Sequence, residues 1–234
     1  MTPIGFSTGT LALGDFRLGL QQLYGKQAMA VELSALRDME LEPLVGSLAD
    51  LDLSQFAYVS VHGPSQFISL TEKQVVDLLS DVFRKKWPVV VHPDVIQDWQ
   101  LWRRYGDLVC IENMDKRKFM GQTADALELI FKQLPEASLC FDIGHARQVD
   151  PTMSEAAAIL RKHGHRLKQL HVSDVNSASQ HEPLNLAAEY AFSRVAYLIP
   201  PDIPIIMETP VDESRLESEM ARVHQLLAKA TRVA

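Results

Sequence analysis

Seven short apolar runs of this sequence stop at a glutamate, aspartate or histidine. With their flanking residues they read VELSA, VSVHGP, VVVHPD, VCIENMD, CFDIGHAR, QLHVSDV and IIMETP. Carboxylates and imidazoles crowded together would repel one another or lose their hydration, unless a cation joined them. Oxygen and nitrogen donors without thiolates suit Mn²⁺, Mg²⁺, Co²⁺ or Zn²⁺. The pattern therefore predicts a divalent metal site, provided that the fold brings these run ends together.

The apolar runs are predicted to be β-strands. They are short, rich in valine and isoleucine, and far enough apart for a helix to fit between them. Such continuous apolar strands suit a parallel sheet that is covered by helices. The predicted strands are Ile4–Ser7, Ala28–Leu33, Phe56–His62, Val89–His92, Leu108–Glu112, Ala137–Asp142, Leu167–Val172 and Pro204–Glu208.

Helix start signals lie between the strands. Helices are predicted to open at Thr71, in the stretch 151–155, and at Asp212, the last running to about Lys229. Eight strand-then-helix units without a linker or repeat predict one domain over residues 1–234, a closed (β/α)₈ TIM barrel. The alternative is a doubly wound open sheet, but no G-x-G-x-x-G follows the first strand. In a barrel, the carboxyl ends of the strands form the active-site face.

Composition narrows the class of partner. The 234 residues carry a net charge of -7, which argues against a nucleic-acid partner, because phosphate backbones require a basic face.

Cys110 and Cys140 are expected to be inward-facing core residues rather than a disulfide. No secretory leader and no apolar run of about 18 residues is present, so we expect a cytoplasmic protein without a membrane partner. His163 and His165 are expected in a solvated turn at the opposite face of the barrel.

The ordered set of motifs is more specific than any one of them. The motifs are ENM at Glu112, D-x-x-H at Asp142 and His145, H-x-x-D at His171 and Asp174, HEPL at His181 and MET at Glu208. From about Ile4 to Pro210 the chain resembles the xylose isomerase-like TIM barrel superfamily. That superfamily contains sugar and sugar phosphate isomerases and epimerases, and the endonuclease IV type of abasic-site nuclease (AP endonuclease family 2).

The isomerase and epimerase members imply one set of roles. A metal ion would be held by Glu112, Asp142, His171 and Glu208. The resemblance makes Glu112 and Glu208 the catalytic residues, which pass a substrate proton through a metal-stabilised enediolate. It implies that His145 bonds a substrate oxygen and that Glu32, His62 and His92 line the pocket. Asn113 and Arg147 directly neighbour this site and are expected to contact the substrate or to support the residues that do.

The nuclease members imply other roles. Glu112 would bridge two metal ions, with His62 and His92 completing the second site. A third ion would need His145, His181 and an aspartate two residues before His181, where this chain has Ser179.

Net charge and short loops lead us to expect a small polyhydroxy or keto substrate. A phosphodiesterase that acts on abasic DNA is the alternative, and a non-catalytic barrel that serves as a binding module comes third. A homodimer is compatible with this fold, and the sequence does not determine the oligomeric state.

Overall fold

The predicted strands form the barrel, with bounds that differ by two residues or fewer from those expected. The computed structural model describes residues 2–230. The barrel strands are β1 Ile4–Ser7, β2 Ala30–Ser34, β3 Tyr58–His62, β4 Val89–Val91, β5 Val109–Glu112, β6 Ser138–Asp142, β7 Leu167–Val172 and β10 Ile205–Met207. Two further strands, β8 Asp174–Val175 and β9 His181–Glu182, form a small antiparallel hairpin after β7.

The sheet closes on itself in the order β1-β10-β7-β6-β5-β4-β3-β2, with parallel pairing throughout. Closure is made by β1, which pairs on one side with β10 and on the other with β2. The architecture is therefore the predicted closed (β/α)₈ barrel and not the open doubly wound sheet. All eight carboxyl ends face the same rim.

Helices surround the sheet. They are α1 Thr8–Ala12, α2 Phe16–Leu23, α3 Asp38–Ser47, α4 Glu72–Arg84, α5 Trp99–Arg103, α6 Ala124–Gln133, α7 Ile143–Val149, α8 Ser154–His163, α9 Leu186–Ser193 and α10 Leu216–Ala230. Thr71 caps α4 in a capping box with Gln74, which confirms the predicted start. In the part of the chain that the structure describes, we find no helix with the length and apolar character needed to span a bilayer.

Within the described residues, the buried apolar side chains form two clusters. The main core lies between the strands and the helices and includes Phe6, Leu79 and Phe141, all buried. A smaller cluster of Val90, Cys110 and Cys140 forms separately. Because alternate residues of a strand share a face, Cys110 and Cys140 point to the same side as Glu112 and Asp142, into the barrel. The inward placement predicted for both cysteines is therefore confirmed.

One surface prediction is wrong. His165 is exposed, but His163 at the end of α8 is buried, and its Nε2 lies 2.8 Å from the carbonyl oxygen of Ala124. The reason is the packing of α8 against α6, which encloses a position that looked like part of a turn.

Candidate metal centre

Four acidic or imidazole side chains meet at the carboxyl-terminal rim of the barrel. Glu112 ends β5, Asp142 ends β6, His171 lies near the end of β7 and Glu208 directly follows β10. One ligand atom from each lies within 4.8 Å of the others, and all four residues are buried. We call these four residues the quartet. Strand order explains their proximity, because β10, β7, β6 and β5 are consecutive neighbours in the sheet.

Asp142 is oriented by the helix that follows it. It is the N-cap of α7, and its Oδ1 accepts a hydrogen bond of 2.6 Å from the backbone amide of His145. The helix can begin so close to β7 because residue 144 is glycine, where a Cβ would lie 2.5 Å from the carbonyl oxygen of Ser173. The other oxygen, Oδ2, is buried and has no hydrogen-bond partner within residues 2–230. It is therefore free to bind an ion.

Asn113 ties β5 to β6. Its Nδ2 donates to the carbonyl oxygen of Asp142, and its Oδ1 accepts from the amide of Asp142, both at 2.8 Å. These two bonds set the relative position of Glu112 and Asp142. A direct contact between Asn113 and a substrate stays a prediction.

His171 lies between the two glutamates of the quartet. Its Nδ1 is 3.1 Å from Oε1 of Glu112 and 3.4 Å from Oε2 of Glu208. Its Nε2 faces the opposite way, 3.2 Å from Oε2 of Glu32. The imidazole therefore turns one nitrogen to the quartet and the other deeper into the barrel.

A second pair of histidines faces the other oxygen of Glu112. Nε2 of His92 lies 3.0 Å from Oε2 of Glu112, and Nε2 of His62 lies 3.4 Å from the same atom. Nδ1 of His62 is 2.8 Å from the carbonyl oxygen of Gly63 and donates to it, so that Nε2 donates to Glu112 in the protonated ring and carries the lone pair in the neutral one. His62, His92 and Glu112 also place one ligand atom each within 4.8 Å of one another.

His145 and His181 lie on the remaining side. Nδ1 of His145 is 3.0 Å from the carbonyl oxygen of Asn113, to which it donates. The β8–β9 hairpin carries His181, whose Nδ1 is 2.7 Å from Oγ of Ser173 and whose Nε2 is 3.6 Å from Oε2 of Glu208. The side chain of His181 is 27% exposed, whereas that of Glu112 is 1% exposed. The cluster is thus open to solvent near His181 and closed beneath.

Glu32 and Arg147 occupy different positions relative to the quartet. Glu32 is fully buried, and one of its ligand atoms lies within 4.8 Å of His62 and Glu208. Arg147, on α7, pairs with Asp174. Asp174 also accepts a hydrogen bond of 2.6 Å from Asn185, so these three residues order the segment after β7. The substrate contacts expected for Glu32 and Arg147 stay predictions.

The buried carboxyl and imidazole groups of the site have pKa values shifted from their ordinary ones. Burial raises the pKa of Asp142 to about 6, with the charge of His145 opposing and that of Glu112 adding to the shift. Burial acts to lower the pKa of His62, but its hydrogen bond to Glu112 and the charge of Glu32 outweigh it and raise the pKa to about 9. Burial also opposes ionisation of Glu112, yet its imidazole partners hold its pKa well below the ordinary value. The positive charge of imidazolium groups thus offsets the negative charge of the carboxylates at this site, and a bound divalent cation would supply positive charge in the same way.

The donor set fits a divalent metal ion. It combines carboxylate oxygens with an imidazole nitrogen in a buried cluster, and Oδ2 of Asp142 lacks any other partner among the described residues. Such ligands suit Mn²⁺, Mg²⁺, Co²⁺ and Zn²⁺. Thus all of the predicted quartet comes together, with the predicted second set, His62 and His92, beside it.

Sequence reasoning missed three polar residues at the site. Ser60 and Gln169 contact Glu32, and Ser173 contacts His181. A signal for Gln169 was present, because it stands two residues before His171 in β7 and therefore shares its inward face. A polar residue at an inward position of an apolar strand is itself an indication of a buried hydrogen-bond network.

No protein-family model and no curated protein matches this chain. Solved structures do match over nearly the whole length. A protein from Anabaena variabilis described as a sugar phosphate isomerase/epimerase has a TM-score of 0.60 at 12% identity, covering 98% of this chain and 99% of that one. A xylose isomerase-like TIM barrel protein from Mycobacterium smegmatis, in complex with magnesium, has a TM-score of 0.59 at 15% identity, with 98% of both chains covered.

A xylose isomerase domain protein from Planctomyces limnophilus has a TM-score of 0.56 at 13% identity, covering 99% of this chain and 98% of that one. The chain therefore has the fold of the xylose isomerase-like TIM barrels, as the sequence resemblance predicted. At these identities the likeness shows the fold and leaves the reaction to be argued from the site.

Proposed function

We propose that this chain, with its xylose isomerase-like fold, is a metal-dependent isomerase or epimerase of a small polyhydroxy ketone. The candidate substrates are free sugars, sugar phosphates and keto-polyols. The observation that carries the proposal is the quartet of Glu112, Asp142, His171 and Glu208, buried together at the active-site rim. Burial favours a small substrate, because a nucleic-acid backbone needs an open, basic surface.

The quartet would hold the metal ion. When bound there, a divalent cation supplies positive charge that stabilises the negative charge developing on the substrate oxygens. The protein contributes the shape of the site. Asn113 fixes Glu112 relative to Asp142, and the cap on α7 uses Oδ1 of Asp142, so that Oδ2 is the oxygen left without a hydrogen bond among the described residues.

Glu112 and Glu208 are placed to move a proton. Both lie close to the same ring nitrogen, with Oε1 of Glu112 3.1 Å and Oε2 of Glu208 3.4 Å from Nδ1 of His171. One carboxylate takes the proton from the carbon next to the substrate carbonyl, and the carbon–hydrogen electron pair becomes the double bond of an enediolate. Delivering the proton to the former carbonyl carbon, while the hydroxyl proton passes to the former carbonyl oxygen, completes an isomerisation. Delivery by the other carboxylate to the opposite face of the original carbon completes an epimerisation. Positioned acid–base groups of this kind contribute about 10²–10⁴-fold in rate.

Two histidines would bind the substrate oxygens. Because Nδ1 of His145 donates to Asn113, its Nε2 is available to a carbonyl or hydroxyl group. His181 lies beside it, with ring centroids 5.7 Å apart, at the more exposed side of the cluster. A substrate entering there would meet both imidazoles before it reached the carboxylates.

Proton exchange in deuterated water tests this function. The metal-loaded protein is incubated with a panel of ketoses and ketose phosphates, and deuterium at the carbon next to the carbonyl is measured by NMR. We expect exchange with at least one of the panel, and a loss of about 10²–10⁴-fold in Glu208→Gln. Glu182→Gln is the control, because Glu182 is an exposed carboxylate on β9 outside the quartet. Equal exchange by wild type and Glu208→Gln would remove Glu208 from its role.

One observation favours a second function. Glu112 turns Oε1 to His171 and Oε2 to His62 and His92, and such a carboxylate can bridge two ions, as phosphodiesterases require. An abasic-site phosphodiesterase is therefore the second candidate. A third ion has less support, because Oγ of Ser179 is bonded to Gln148, whose Nε2 lies 2.7 Å away. Cleavage of an abasic duplex at low salt, lost in Glu112→Gln, would reverse the order of the two candidates.

A non-catalytic binding barrel is the third reading. A protein that only binds a ligand would not require buried carboxylates placed close enough to bind one ion. A purified protein without any bound or bindable divalent metal would favour it.

A further inference from the structure

A second polar layer lies beneath the quartet, inside the barrel. It consists of Glu32 on β2, Ser60 on β3 and Gln169 on β7, all fully buried, with Tyr58 at its lower edge. The interior of such a barrel is ordinarily filled by branched apolar side chains. A buried carboxylate at this depth is destabilising unless other groups bond to it. The contacts of Glu32 therefore indicate what it does.

Two side chains bond to one oxygen of the Glu32 carboxylate. Its Oε2 accepts hydrogen bonds from Oγ of Ser60 at 3.0 Å and from Nε2 of Gln169 at 2.7 Å. The amide of Gln169 is itself oriented, because its Oε1 accepts a bond of 2.7 Å from the phenol of Tyr58. A carboxylate can only accept, so the amide nitrogen of Gln169 must face Glu32.

The same oxygen of Glu32 faces a ligand of the quartet. It lies 3.2 Å from Nε2 of His171, the nitrogen that points away from Glu112 and Glu208. A neutral imidazole that binds an ion through Nδ1 must carry its hydrogen on Nε2. Glu32 is an acceptor within reach of that hydrogen. Nε2 of Gln169 lies 2.8 Å from the same ring nitrogen, but an amide nitrogen only donates. That contact is therefore a hydrogen bond only in the other tautomer, with the hydrogen on Nδ1, which cannot bind an ion through Nδ1.

We propose that Glu32 is a positioning residue that accepts the Nε2 hydrogen of His171 and so keeps Nδ1 as the nitrogen that binds the ion. Gln169 and Ser60 hold the carboxylate in place for this role. The inference rests on the proposed function, since it requires an ion at the quartet. Loss of a partner of this kind typically lowers metal affinity about 10–100-fold.

Metal titration provides the first test. Metal-free protein is titrated with Co²⁺ and followed by visible absorption, for wild type and Glu32→Gln. We expect the Kd for Co²⁺ to rise about 10–100-fold in Glu32→Gln. Glu219→Gln is the matched control, because Glu219 is also a buried carboxylate but lies on α10, where it pairs with Arg215. Its Kd should equal that of wild type.

Histidine NMR provides a readout that a merely structural role would not change. In ¹⁵N-labelled, Zn²⁺-loaded wild type, we expect the ring hydrogen of His171 on Nε2. Gln169→Met should weaken Co²⁺ binding less than Glu32→Gln, because Ser60 still bonds to the carboxylate. This variant and the wild-type spectrum keep the test valid if Glu32→Gln does not fold.

The outcomes distinguish a failure of the proposed role of Glu32 from a failure of the proposed function. An unchanged Kd in Glu32→Gln, or a hydrogen on Nδ1 of His171 in the Zn²⁺-loaded protein, would overturn the inference alone. Failure of wild type to bind Co²⁺ or Zn²⁺ would overturn the proposed function as well.

Discussion

Nε2 of His92 lies 3.0 Å from Oε2 of Glu112. The other oxygen of the same carboxylate, Oε1, lies 3.1 Å from Nδ1 of His171. Glu112 therefore belongs to two neighbouring sets of potential ligands. The number of ions that the site holds is the measurement that best separates the two candidate functions.

Asp142→Asn should weaken the ion at the quartet. The variant keeps an oxygen that can cap α7 but replaces the unpartnered Oδ2 by an uncharged amide nitrogen. We expect about 10-fold weaker binding or more, measured by titration of Co²⁺ into metal-free protein. Asp125→Asn is the control, because that side chain is 93% exposed on α6. Equal affinity in wild type and Asp142→Asn would exclude Asp142 as a ligand.

His92→Ala should distinguish one ion from two. On the isomerase reading the protein binds about one ion per chain, and removing His92 leaves that number unchanged. On the phosphodiesterase reading wild type binds about two, and the variant about one. Elemental analysis after gel filtration measures the ratio. His165→Ala, at an exposed position, controls for metal bound to surface histidines.

Acid should remove a stabilising interaction at Asp115. Burial acts to raise the pKa of Asp115, but hydrogen bonds from the side chain and backbone of Arg117 outweigh it and lower the pKa to about 2 from 3.8. Because the folded value lies below the unfolded one, this stabilisation is fully present above about pH 4. It is lost as the pH falls toward 2.

Asp115→Asn should therefore lower the free energy of unfolding by about 1–2 kcal/mol at pH 7, a range reduced because the Arg117 side chain is largely exposed. Urea denaturation should show the difference from wild type narrowing between pH 4 and pH 2. A constant difference over that range would contradict the assignment. Arg117→Gln, which removes the partner, should reproduce part of the loss.

Asp38→Ala should loosen the loop between β3 and α4. Oδ2 of Asp38 accepts hydrogen bonds from the backbone amides of Ile68, Ser69 and Leu70, at 2.6, 2.5 and 2.9 Å. Removing this acceptor should cost about 1–3 kcal/mol in the free energy of unfolding and speed hydrogen exchange at the three amides. Asp38→Asn keeps an acceptor oxygen and should lose less. Unaltered exchange in Asp38→Ala would show that the loop does not depend on this contact.

Much of the fold could be predicted from local pattern. Strands such as Ile4–Ser7 and Leu167–Val172 have the expected bounds, because a short segment of recurring apolar residues between turn signals is a local property of the chain. The cap at Thr71 is local for the same reason. The hairpin of β8 and β9 was not predicted, since two-residue strands carry no periodicity.

By itself, the sequence determined which side chains end each strand and which of them share a face, because alternation along a strand is independent of what surrounds it. It also placed the quartet on one rim, once eight strand–helix units implied closure. Only the tertiary structure decided which atoms meet: that Glu112 divides its two oxygens between different histidines, and that Glu32 lies beneath His171. Those distances depend on strand order, register and helix packing around the whole barrel, which bring together residues far apart in the chain.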